Sequence, residues 1–179
     1  MHASDISLDH FALFDLSIAY GLDVSVLEQR YREVQGRVHP DKHAHLSDAE
    51  KRVSMQLATQ ANEAFQTLKS PLKRAQYLLH LRGVDPQIER NTAMPMAFLV
   101  QQLECREAVA EARQAQDMAA LEDLHHELRS EMKNEFVLLG QQLDINTDNE
   151  EAAQTVRRLL FKEKLLHEID DAIEAIENV

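Results

Sequence analysis

The chain has 179 residues, with 19 Lys+Arg against 31 Asp+Glu for a net charge of −12, one cysteine, no tryptophan, four glycines and four prolines. Ordinary usage would supply roughly 21 Gly+Pro in this length, so the turn residues that a sheet protein needs every ~8–12 positions are missing, and abundant Ala, Leu, Glu and Gln point to an all-α protein. The acidic balance argues against a general nucleic-acid binder, and a single thiol excludes a disulfide scaffold or a multi-thiolate metal site.

No apolar run approaches the ~18 residues of a membrane span. Met1 to Leu8 carries acids and has neither a basic start nor an apolar stretch, so no secretory signal or transit peptide is expected there. These features predict a soluble protein of a reducing cytoplasm. Charge is uneven along the chain. Residues 1–93 hold 11 Lys+Arg and 12 Asp+Glu, a net of −1, whereas 94–179 hold 8 and 19, a net of −11. Between the halves, Gly83-Val84-Asp85-Pro86 and Met94-Pro95 disfavour helix, so 83–93 reads as a linker between domains 1–82 and 94–179.

In chain order, Asp9 caps a brief helix carrying Phe11, Phe14 and Leu16. Asp23 opens a second, with Leu27, Tyr31, Val34 and Val38 on one face. His39-Pro40 ends it, because proline lacks the amide donor and clashes with the preceding turn. A polar loop from Pro40 to Leu46 leads to a third helix, opened by the capping box Ser47-x-x-Glu50 and striped by Val53, Leu57, Ala61, Phe65 and Leu68. Ser70-Pro71 starts a fourth, with Leu72, Ala75, Leu78 and Leu79, closed by Gly83. The second and third helices form an antiparallel hairpin. Arg30 and Arg37 lie seven apart on one face, followed by Lys42 and diluted by Glu28, Glu33 and Asp41.

Three longer helices follow, over 95–116, 118–143 and 149–177, and their short loops predict an antiparallel three-helix bundle. The middle one is striped by Leu121, Leu124, Leu128, Met132, Leu139 and Leu143. The last carries Ala152, Val156, Leu159, Leu160, Leu166, Ile169, Ile173 and Ile176. In helix 95–116, at ~100° per residue, Phe98, Cys105, Ala108, Val109 and Ala112 gather on one side and suffice as a core face. Met96, Leu99, Val100 and Leu103 fall on a different arc, roughly 140° wide, interleaved with Glu104, Glu107 and Glu111. A helix in such a bundle buries one face only, so the surplus arc reads as a partner site. Phe161 lies well away from the stripe of its own helix, which leaves it open between packing and partner contact. Cys105 falls on the buried arc, where a reactive role is not expected.

The hairpin loop Val38-His39-Pro40-Asp41-Lys42, set between two amphipathic helices, resembles that of J-domains, which dock on seventy-kilodalton heat-shock chaperones and stimulate their ATP hydrolysis. Asp9-His10-Phe11-Ala12-Leu13-Phe14, Asn62 to Leu68, Pro71 to Leu79, Phe98 to Glu104 and Thr155 to Phe161 extend the resemblance over nearly the whole chain, to the HscB family of J-domain co-chaperones. The resemblance implies two partners, an HscA-type chaperone and an IscU-type iron–sulfur scaffold protein. It implies chaperone docking through His39, Pro40, Asp41 and Lys42, with Arg30 and Arg37 steering it. Pro40 would stiffen the loop, and Asp41 would accept a charge-assisted bond from a partner arginine. The family binds its scaffold protein through residues matching Leu99, Val100, Leu103, Glu104, Glu107, Glu111 and Phe161. The chain departs from the family in having Asp15-Leu16-Ser17 where Gly-Leu-Pro is usual, and Val38 where an aromatic often precedes His-Pro-Asp.

Two other readings remain open. One is a J-domain adaptor for a different client. The other is a metal-dependent hydrolase using His39, Asp41, His43 and His45, although alternate loop residues separated by Pro40 give no defined ligand geometry. No nucleophile–base pair, phosphate loop or paired metal carboxylates are evident, so the expectation is a protein without catalytic residues, resident metal or cofactor.

Overall fold

A computed structural model describes residues 9–38, 47–86 and 94–178. Those residues form seven α-helices and no strand, so the chain is all-α. Its compact units are Met1–Arg82 and Gly83–Val179.

The first unit is built from α1 (His10–Leu13), α2 (Val24–Val38), α3 (Asp48–Lys69) and α4 (Pro71–Leu81). Local chemistry sets each start. The Asp9 carboxylate accepts from the amides of Phe11 and Ala12, both at 2.9 Å. Ser47 and Glu50 form the reciprocal capping box of α3. Pro71 occupies the first turn of α4, where a missing amide hydrogen costs nothing. Gly83 follows α4 at φ 74°, a left-handed position that suits glycine. The α2–α3 hairpin is antiparallel, as the Glu28–Lys69 ion pair at 3.1 Å and the Tyr31–Asn62 hydrogen bond at 2.6 Å require. Its core is Phe11, Phe14, Leu27, Val34, Leu57, Ala61, Phe65 and Leu68, closed by Leu72, Ala75, Leu78 and Leu79 of α4. Leu16, Tyr31 and Val53 are only half-buried. The Tyr31 ring stacks on Phe65 with centroids 4.2 Å apart, while its hydroxyl remains hydrogen-bonded at the surface. Arg74 is buried, which its charge conceals in the sequence. Its guanidinium donates to the Leu68 carbonyl and lies 5.1 Å from the centroid of the Tyr20 ring.

The second unit packs α5 (Met96–Gln114), α6 (Met118–Gly140) and α7 (Asn149–Glu177) against one another, with a π turn over Gln141–Ile145 ending α6. Asp117 and Asp148 cap α6 and α7 by accepting from the amides of Ala120 and Glu151, each at 3.1 Å. The ion pairs His125–Asp170 and Glu131–Lys162 make α6 and α7 antiparallel. Phe98–Phe161 and Arg106–Glu168 make α5 and α7 parallel. The fully buried centre is Leu121, Leu139, Leu143, Val156, Leu159, Leu165 and Ile169.

Several expectations shift in register. Helix α5 stops at Gln114 rather than 116, because Gln116 turns left-handed at φ 54°. Helix α6 passes into the π turn instead of running as α-helix to 143. On α7 the buried position is Leu165, and Leu166 is half-buried, as are Leu160 and Ile173. The stripe turns because Lys162, buried at 6% exposure, occupies the α6 side of α7 with its charge neutralised in place. Ala108 and Leu124 are also half-buried rather than core. Pro86, in the expected linker, is buried, and its carbonyl accepts from Arg157 Nη1 at 3.4 Å. No helix among the described residues is long and apolar enough to cross a membrane.

Candidate functional site

Two surfaces carry the residues singled out above. On α5, Phe98 is 9% exposed and meets Phe161 of α7 edge to face, centroids 5.8 Å apart. Gln102, Val109 and Ala112 continue that buried face. Around the helix from it, Met96 is 75% exposed, Leu99 37%, Val100 46% and Leu103 58%. Glu104, Glu107 and Glu111 are exposed along the same helix. Leu99, Leu103 and Arg106 follow one another at i, i+4 and i+7. Arg106 reaches Glu168 of α7 at 3.0 Å, so the apolar arc begins on the α7-facing edge of α5. Phe161 is half-buried at the α5–α7 seam, where its ring packs on Phe98.

An ionic clamp that sequence reasoning missed joins α7 to α6. Lys162 Nζ donates to Glu131 Oε2 at 2.8 Å and to Glu135 Oε1 at 2.9 Å, and Arg158 Nε stands 3.7 Å from Glu135. Burial opposes the ammonium charge, but hydrogen bonds to the two carboxylates outweigh it and hold Lys162 above its ordinary pKa. The signal was present as i, i+4 spacing on both helices, cations 158 and 162 against acids 131 and 135. It resembled ordinary surface pairing. Cys105 lines a small cavity of about 40 Å³ together with Gln102 and Glu131. Burial and the carboxylates of Glu131, Glu104 and Glu127 push its thiol pKa up, which suppresses the reactive thiolate.

On the first unit, Arg30 and Arg37 are exposed or half-exposed on α2. Arg30 stands 3.6 Å from Asp15 and 3.4 Å from Glu33, and Arg37 Nε donates to the Glu33 carbonyl at 3.4 Å. A hydrogen bond from Gln29, then the guanidinium groups of Arg30 and Arg37, hold the Glu33 carboxyl below its usual range. Asp15 sits at φ 54°, a left-handed position, so this departure from the family's glycine both strains the backbone and places an acid beside Arg30. His39, Pro40, Asp41, Lys42, His43 and His45 lie outside the described residues. Among the described residues no group of three or more His, Cys, Asp or Glu is placed to hold a metal ion.

Comparison with known proteins gives the chain a family. Residues 94–170 match a model described as the HSCB C-terminal oligomerisation domain. A co-chaperone protein HscB homolog of Aromatoleum aromaticum is 52% identical over 173 residues, covering 97% of this chain and 98% of its own. One of Azoarcus is 52% identical over 176 residues, covering 98% and 99%. Among solved structures, chaperone HscB from Vibrio cholerae superposes with TM-score 0.82 at 33% identity, covering 94% of this chain and 99% of its own. The human co-chaperone protein HscB gives TM-score 0.84 at 28% identity, covering 92% and 81%. With near-complete coverage and half the residues identical to these homologues, the chain belongs to the HscB family of co-chaperones.

Proposed function

We propose that this co-chaperone serves iron–sulfur cluster assembly in the cytoplasm, without catalytic chemistry of its own, by bringing an IscU-type scaffold protein to an HscA-type chaperone and stimulating its ATP hydrolysis. Residues 1–82 act as the J-domain, 83–93 as the linker and 94–179 as the client-binding bundle. His39, Pro40, Asp41 and Lys42 dock on the chaperone, with Arg30 and Arg37 supplying long-range attraction. The scaffold protein lies on Met96, Leu99, Val100, Leu103, Glu104, Glu107, Glu111 and Phe161. The observation that carries this reading is the acid-rimmed apolar arc on α5, which stays exposed while Phe98, Val109 and Ala112 already fill the bundle face. Carrying client and trigger on one chain raises the effective concentration of the client at the chaperone.

The test is ATPase stimulation of the HscA-type chaperone with and without the IscU-type scaffold. Wild type should stimulate synergistically with scaffold. His39→Gln should abolish stimulation and leave scaffold binding intact, and Leu99→Ala with Leu103→Ala should do the reverse. Stimulation that survives His39→Gln would overturn the docking role, and unchanged scaffold affinity in the double variant would overturn the client surface.

A second property is favoured by a separate observation. The domain model matching 94–170 is described as an oligomerisation domain, and we extend self-association to the second unit of this chain.

A further inference from the structure

The client surface proposed on α5 is narrower than a protein partner ordinarily covers. From Met96 to Glu111 the helix rises about 22 Å and offers a strip about 10 Å wide, a flat area of about 220 Å². Each side of a specific complex buries about 800 Å². The contact therefore has to spread sideways from α5. Phe161, already counted in that surface, belongs to α7 and meets Phe98 across the α5–α7 seam, so the seam is where the footprint passes to a second helix.

Farther along the same seam the space between the helices is open. Leu103 and Ala110 lie two turns apart on one edge of α5, as do Phe161 and Glu168 on the facing edge of α7. At the start of the seam two phenyl rings pack together. Beyond the Arg106–Glu168 ion pair at 3.0 Å the side chains shrink to Ala110 and Ala172, and an open groove of about 590 Å³ runs between the helices. Val109 and Ala172 are its buried, apolar part. Arg113 lines it from α5 and Asp171 from α7, both exposed.

Charge changes sign across α5. With Leu99 as origin, Arg113 and Arg106 fall at about −40° and −20°, Leu103 at about 40°, and Glu107, Glu111 and Glu104 between about 80° and 140°. Arg106 is neutralised by Glu168, whereas Arg113 has no ion-pair partner among the described residues. We propose that the client footprint continues from the α5 arc into this groove. An apolar side chain of the IscU-type scaffold rests on Val109 and Ala172, and a carboxylate beside it pairs with Arg113. The opposite charges on the two edges of α5 then admit the client in one orientation, because turning it round sets that carboxylate against Glu107 and Glu111.

The inference rests on the client-surface reading, and calorimetric titration of the full chain with IscU-type scaffold tests the two apart. Ala110→Trp, which fills the groove, should weaken binding at least about tenfold. Arg113→Glu should weaken it about fivefold or more at low salt, and by less as salt rises. Both should keep the wild-type circular dichroism and melting temperature, because both positions are exposed. Arg129→Glu makes the same charge change at an exposed position on α6 and should leave affinity within about twofold of wild type. Full affinity in Ala110→Trp or in Arg113→Glu, with binding still weakened by Leu99→Ala and Leu103→Ala, overturns the groove and leaves the client surface standing. A loss in Arg129→Glu equal to that in Arg113→Glu overturns the local pairing in favour of net charge. Unchanged affinity in the double leucine variant overturns the client surface itself.

Discussion

Leu103→Ala separates binding from folding on the same helix. Complete burial of a leucine side chain is worth about 1.5–3 kcal/mol. With Leu103 still 58% exposed in the chain alone, folding has used less than half of that, and a partner stands to gain about 1–1.5 kcal/mol from the remainder. The variant should therefore bind the IscU-type scaffold roughly tenfold more weakly. Its stability should change by about 1 kcal/mol or less, the share of burial that folding has already used. Phe98→Ala, one turn earlier and 9% exposed, should behave in the opposite way. It empties the α5–α7 seam at about 3–5 kcal/mol, enough to lower the melting temperature of a unit this size by ~10 °C or more. Calorimetric titration with scaffold and thermal melts by circular dichroism read the two quantities independently. Scaffold affinity unaffected by Leu103→Ala, or a melting shift matching that of Phe98→Ala, would refute the division of α5 into a core face and a partner face.

Other outcomes follow from the ionic and strained positions. Lys162→Met should destabilise the second unit by about 2–3 kcal/mol, since it leaves Glu135, 16% exposed, with the longer Arg158 contact at 3.7 Å while Glu131 regains water. The triple variant with Glu131→Gln and Glu135→Gln should recover most of that loss, and hydrogen exchange in α6 and α7 reads both. Because the folded-state pKa of Lys162 is raised, its stabilising share is complete below 10.5 and disappears as pH climbs through the folded value. His10 works in the other direction. Burial against Tyr77, whose ring stacks on it at 4.1 Å between centroids, lowers its pKa from 6.5. The unfolded chain then binds the proton more readily, and the first unit should lose stability as pH falls below 6.5. Urea unfolding of wild type and His10→Gln across that range should show a shallower slope in the variant. Asp15→Gly should relieve the left-handed strain at φ 54°, stabilising the first unit by about 0.5–1 kcal/mol. It also removes the acid 3.6 Å from Arg30, so chaperone stimulation at low salt should rise, and an unchanged salt dependence would argue against Arg30 in docking.

Much of the architecture was legible because it is local. Asp9, Ser47 with Glu50, Ser70-Pro71 and Gly83 mark helix ends through bonds that span two to four residues, and the structure shows each of them at an end. The surplus arc on α5 was legible for a related reason. Periodicity alone reveals more apolar residues than one bundle face can bury, and Met96, Leu99, Val100 and Leu103 remain exposed. Residues whose environment is made by a distant helix were not legible. Nothing in the sequence marks Lys162 or Arg74 as buried, yet each is 6% exposed, Lys162 held by partners 27 to 31 residues away and Arg74 donating to a carbonyl six residues back.

The all-helical class, the places where helices start and stop, and the apolar arc with its acidic rim were therefore written in the sequence, since composition, capping and the 3.6-residue period act over a turn or two. Tertiary structure decided that Leu165 rather than Leu166 enters the core, that Phe161 closes on Phe98, that Asp15 leans on Arg30, and that a π turn carries Ile145 outward. Each of these depends on which neighbour stands opposite. A helix's own sequence specifies its faces, but only the packed partner determines which of those faces is filled, neutralised or left open.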